Sequence, residues 1–154
     1  MRLALAASLL LIYAGCAATG GTMNDFANQT VDFGIVVTDI NQSLAFYTGA
    51  VGLKEAGGFD VSAEMGGKAG LSDHKPFHVH VLKTTDADDA TSVKLMQFPG
   101  TSSAKPDNTF IHSTVGIRYL TFYVADMDAA LRRAAKAGVK PIAQGPYRLP
   151  NGSG

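Results

Sequence analysis

The chain has no tryptophan, a single cysteine and no run of basic residues. With Cys16 alone, no disulfide forms within the chain, so the fold rests on its core. Lys and Arg number 13, Asp and Glu number 13, and the formal net charge is zero, which removes the electrostatic footprint of a nucleic-acid binder. Charged residues make up only 17% and hydrophobic ones 46% of 154 residues, which fits one globular domain with a sizeable core. No apolar run reaches the roughly 20 residues that a spanning helix needs.

The first residues differ from the rest. Met1 and Arg2 carry one positive side chain, Leu3 to Tyr13 make an apolar run with Ser8 as its one polar residue, and Ala14-Gly15-Cys16 closes the run. This is the pattern of a secretory signal. The closing triplet resembles the cleavage box of bacterial lipoproteins, which implies a signal peptide over 1–15, lipidation of Cys16 and residence in the cell envelope, on the outer face of a bacterial membrane or in the periplasm. Cleavage at a nearby alanine would instead leave a lone thiol. Residues 16–30 are rich in Gly, Thr and Asn without periodicity and read as a tether between anchor and domain.

Beyond the tether the sequence repeats itself. DFGIVVTDINQSLAFY, from Asp32 to Tyr47, matches YLTFYVADMDAALRRA, from Tyr119 to Ala134, at a constant offset of 87 that places Asp39 on Asp126 and Leu44 on Leu131. Each copy is an alternating stretch, an aspartate and an amphipathic stretch. In the second copy Met127, Ala130, Leu131, Ala134 and Ala135 make a helical stripe, with Asp126 as N-cap and Gly138 as the left-handed stop. In the first, Ile40, Leu44, Tyr47 and Val51 make the equivalent stripe behind Asp39.

The strands preceding these helices have unequal faces. Phe33, Ile35 and Val37, like Leu120, Phe122 and Val124, are apolar and should lie under the helices, whereas Asp32, Gly34, Val36, Tyr119, Thr121 and Tyr123 face something polar. Between the copies, Phe77 to Lys83 and Ser92 to Phe98 alternate as strands about the polar turn TTDADDAT, a hairpin. Gly57 to Asp73 holds another short strand in a Gly-rich loop, and Val139 to Ala143 begins a strand after the second helix.

The run GIVVTDINQSLAFYTGAVGL resembles the opening of a vicinal-oxygen-chelate module, VKLMQFPG its fourth strand and LTFYVADMDAALRRAAKAGV the start of a second copy. The resemblance is to the glyoxalase, bleomycin-resistance and extradiol-dioxygenase superfamily. It implies an α+β fold in which paired βαβββ modules form a curved mixed sheet around a cleft, here over residues 31–154, with module one at 31–100 and module two at 115–154. The last two strands of such a module have no counterpart before Gly154. The expectation is therefore a second module truncated after its helix and one strand, or a partner chain, as in a homodimer, that supplies the rest.

The resemblance also implies where a metal would sit. In metal-dependent members a ligand projects from the first strand of each module, seven residues before the aspartate, and glutamates come from later strands. Those positions here are Asp32 and Tyr119, then Lys94, and a last one beyond the chain. A lysine ammonium has no lone pair and repels a cation, so the usual set is expected to be absent and no cofactor is expected. The alternative is a shifted set of Asp32, His78 and His80, a two-histidine, one-carboxylate group suited to a divalent ion such as Fe, Mn, Zn or Ni. The candidate cleft is Asp32, His78, His80, Lys94, Tyr119, Thr121 and Tyr123, with Lys94 ion-paired to Asp32 and no catalytic residue assigned. Two functions follow: a binding domain for a small polar or aromatic ligand, or a metal-dependent, glyoxalase-like lyase or dioxygenase.

Overall fold

The computed structural model describes residues 30–146. The expected signal segment, Cys16, the expected tether up to residue 29 and residues 147–154 lie outside them. The elements are β1 (Asp32–Val36), α1 (Ile40–Ala45), which runs into a π-helical turn (Phe46–Val51), β2 (Lys54–Val61), α2 (Ala63–Lys68), β3 (Phe77–Lys83), β4 (Ser92–Met96) and α3 (Met127–Lys136). The strands form one open sheet in the order β1-β4-β3-β2, with β1 parallel to β4 and the other pairs antiparallel. This is a mixed α+β unit of βαβββ type. The expected hairpin is the β3–β4 pair.

The two copies of the repeat start their helices alike. Asp39 and Asp126 are both extended, at φ −140° and −137°, and each carboxylate accepts from the backbone N–H three residues on, at 2.9 Å. That bond satisfies an amide which would otherwise have no partner at a helix start. The helices end differently. Gly138 is left-handed at φ 76°, its N–H donates to Ala135 O and the next, from Val139, donates to Ala134 O, a Schellman closure of α3. After α1, the N–H groups of Gly52 and Leu53 both donate to Tyr47 O, at 3.0 and 2.9 Å, which widens the last turn into the π form.

The core lies between the sheet and these helices. Leu82 and Leu95 have no exposed surface, Val93 and Leu53 are buried beside them, and Ile35, Val37, Ile40 and Leu44 pack on the cluster as the alternation of β1 and the stripe of α1 predict. One polar side chain fastens the layers. Gln97, just past β4, accepts from Ile40 N and donates to Thr38 O, both at 3.0 Å, and so carries the β1–β4 pairing on into the start of α1.

Three expectations are corrected. Within 57–73 the expected strand is present as the second half of β2, which passes a bulge between Glu55 and Gly58, but the expected loop holds α2, whose N-cap Ser62 accepts from Met65 N at 3.2 Å. Residues 119–124 form no ladder among the described residues; their burial alternates as expected only up to Tyr123, with Leu120 and Phe122 packed on the core and Tyr119, Thr121 and Tyr123 outward, whereas Val124, expected under the helix, is 40% exposed. A strand is held by its neighbour: β1 has β4, and this segment has no such partner in the described residues. Residues 139–143 are not a strand either, because Val139 spends its N–H on closing α3.

Candidate functional site

The pairing register decides which side chains share a face. Residues directly opposite in a ladder point to the same side. Asp32 is opposite Ser92, and Lys94 is opposite both Gly34 and Val81. Asp32, Ser92, Lys94 and Val81 therefore stand on the face away from α1, with Phe59 beside Val79 on the same side. His80 is opposite Leu95, a core residue, and His78 is opposite Asp60. Both histidines thus lie on the helix-bearing face.

At the polar end of the open face, Lys94 Nζ donates to Asp32 Oδ2 at 2.6 Å, and the hydroxyl of buried Ser92 donates to Asp32 Oδ1. These bonds, Lys94 first and Ser92 second, hold the Asp32 carboxyl below its ordinary value of 3.8 against the opposing effect of burial. The unfolded carboxyl takes up its proton at higher pH than the folded one. The pair's contribution to stability is therefore complete above 3.8 and lost as pH falls through the lower folded value. Its side chains are 32% and 44% exposed, so the contribution is small. Lys94→Met is expected to flatten the acid limb of a plot of urea midpoint against pH, and an unchanged limb would count against the pairing.

Two grooves meet at Asp32. One, of about 460 Å³, is lined by Asp32, Phe59, Val81, Lys83, Ser92 and Lys94. The other, of about 720 Å³, runs between β1 and the segment that carries Ile117, Tyr119 and Leu120. Farther along the same face the surface turns apolar, with Val61, Phe77 and Val79 buried against Met96 and Phe98. The face therefore runs from an ion pair to an aromatic cluster.

The seven anticipated cleft residues do not all converge. Asp32 and Lys94 are bonded as expected, and Tyr119, 70% exposed, shares the larger groove with Asp32. Thr121 is exposed and lines neither groove. Tyr123, 96% exposed, borders a different hollow beside Gly52 and Arg133. His78 and His80 are separated from Asp32 by the sheet itself, so the shifted set of Asp32, His78 and His80 cannot share an ion. Ser92, Phe59 and Val81 went unmarked, though Ser92, two before Lys94 on one strand, is on the same face by simple alternation.

The family's metal positions fit a divalent cation poorly. Asp32 already has a cation on one oxygen and a hydroxyl on the other, the Lys94 position supplies a positive charge, and Tyr119 supplies a phenol. What these groups can do together is orient a ligand by donating from Lys94 and accepting at Asp32.

An open mixed sheet of βαβββ order, followed by a second capped helix at the repeat offset, defines a chelate-type α+β domain. The family model for the Glyoxalase/Bleomycin resistance protein/Dioxygenase superfamily matches residues 32–153, and the chain belongs to that superfamily. A crystal structure of a glyoxalase family protein from Bacillus cereus superposes with a TM-score of 0.60 at 21% identity, covering 82% of this chain and 84% of that one, a likeness of fold. No curated protein matches the sequence.

Proposed function

We propose that the protein is a small-molecule-binding domain of this superfamily that works without the usual divalent metal site, held at the cell envelope by a lipid on Cys16. The observation that carries the reading is the Lys94–Asp32 pair at 2.6 Å. A cation built from the protein's own side chain stands where the resemblance implies a metal-ligating glutamate. The change along the face supports a ligand with a polar end, set against Lys94, Asp32 and Ser92, and a planar or apolar body over Val81 and Phe59.

Salicylate, a planar aromatic carboxylate, tests this. On titration into ¹⁵N-labelled protein, amide shifts should cluster at Asp32, Phe59, Val81 and Lys94, and Lys94→Ala should weaken binding by about 10-fold, the loss of one charge-assisted hydrogen bond. Scattered shifts, or affinity indifferent to Lys94, would count against it. So would one divalent ion per chain that is lost on Asp32→Ala, since that would place a metal in the cleft.

A further inference from the structure

On the helix-bearing face, at the β2–β3 edge, four side chains form a cluster that the proposed cleft does not use. The His78 and His80 rings stand with centroids 4.6 Å apart at 70°. Carboxylates from β2 stand on the Nδ1 sides: Asp60 Oδ1 is hydrogen-bonded to His78 at 2.7 Å, and Glu55 Oε1 lies 3.5 Å from His80, close enough for an ion pair but not a hydrogen bond. The register accounts for this. Asp60 is directly opposite His78, and the bulge between Glu55 and Gly58 leaves Glu55 opposite Leu82, on the same face as His80.

The Asp60 carboxylate at Nδ1 of His78 draws the ring hydrogen there and leaves the lone pair at Nε2. Among the described residues neither Nε2 has a hydrogen-bond partner. The His78 ring lies across Gly58, where a Cβ would come within 2.6 Å of Nε2, so the absent side chain is what gives the ring its place. His78 is 46% and His80 26% exposed, so water and ions reach the cluster.

We propose that His78 and His80 form a site for a borderline divalent transition-metal ion such as Zn²⁺, bound through the two Nε2 atoms. Asp60 serves as the positioning residue that fixes the His78 tautomer, the arrangement usual behind metal-bound imidazoles, and Glu55 sets a negative charge beside His80. Zn²⁺ takes nitrogen ligands at about 2.0–2.1 Å, and imidazole also suits Ni²⁺ and Cu²⁺. Among the described residues no group of three or more His, Cys, Asp or Glu side chains is arranged to hold an ion. Water therefore completes the coordination, and the ion is exchangeable rather than structural. The sheet separates this site from Asp32, so it stands or falls independently of the cleft.

The test is a Zn²⁺ titration of the whole chain at neutral pH, followed through the ring nitrogens in long-range ¹H–¹⁵N spectra. Nε2 of His78 and His80 should shift to saturation at one ion per chain while His74 and His112 stay still. His78→Ala and His80→Ala should each weaken binding at least about 10-fold, Asp60→Asn by about 10-fold, and Asp32→Ala not at all. Should a histidine variant fail to fold, the spectra of the unaltered chain and Asp60→Asn decide. Shifts confined to His74 or His112, binding that survives both histidine changes, or binding lost on Asp32→Ala would overturn the proposal.

Discussion

Gly52→Ala is expected to cost about 3 kcal/mol of stability, because two effects meet at one backbone position. Gly52 is left-handed at φ 91°, where a side chain costs roughly 1–2 kcal/mol. A Cβ there would also come within 2.7 Å of Arg133 Nε and 2.8 Å of its Cζ. Arginine ends are flexible, but this one is engaged: Nε donates to Ala50 O at 3.1 Å and a terminal nitrogen to Val51 O at 2.7 Å, binding α3 to the end of the first helix. Moving the guanidinium aside gives up hydrogen bonds to a charged group, each worth roughly 1.5–3 kcal/mol. Urea denaturation of Gly52→Ala, Arg133→Ala and the double variant separates the two effects. With the guanidinium gone the steric part should vanish, leaving a coupling of about 1 kcal/mol or more. Strictly additive costs would mean that Arg133 does not occupy the space the glycine leaves.

The second large effect is at the ion pair. Lys94→Glu puts two carboxylates where a carboxylate and an ammonium stand, removes the bond that holds the Asp32 proton off, and sets like charges together on one face. Salicylate should no longer bind measurably. The same change supplies the acidic fourth-strand position that metal-dependent relatives imply, and Mn²⁺ affinity is expected to rise by about 10-fold or more, one pK unit's worth of energy. Mn²⁺ is the suitable probe because it favours oxygen ligands over imidazole, so its binding, read from the loss of the free-ion electron paramagnetic signal, reports on the carboxylates and not on His78 and His80. No gain in Mn²⁺ binding would show that Asp32 and position 94 cannot converge on an ion, whatever their charge.

Much of the fold was legible because it is written in local chemistry. Asp39 and Asp126 announce helix starts by residue type and repeat offset, Gly138 announces an end, and the alternation of Asp32 to Val37 separates a core face from a polar one. The Asp32–Lys94 pair was also within reach, since family spacing puts both on inward positions. What escaped depends on relations between strands. His78 and His80 do share a face, as two residues apart on a strand must, but which face follows only from the β3–β4 register, and alternation within one strand says nothing of its parity against the next. The helix Ala63–Lys68 has no apolar stripe and contains Gly66 and Gly67. Its signals were Ser62 as cap and the Glu64–Lys68 pair, 2.6 Å apart. From Tyr119 to Tyr123 the alternation predicts which side chains reach the core, but Val124 is exposed against expectation, and a ladder also needs a partner strand, which composition does not supply.

Gln97 has a mechanical consequence. One amide group grips both Ile40 N, at the start of α1, and Thr38 O, just before it, so lifting the helix N-terminus from the end of β4 costs at least the bond to Ile40. The strand that carries Lys94 and the helix that covers the core are thus joined by a side chain that touches neither the ion pair nor the grooves, and a shift of β4 on taking up a ligand is expected to be felt at the start of α1.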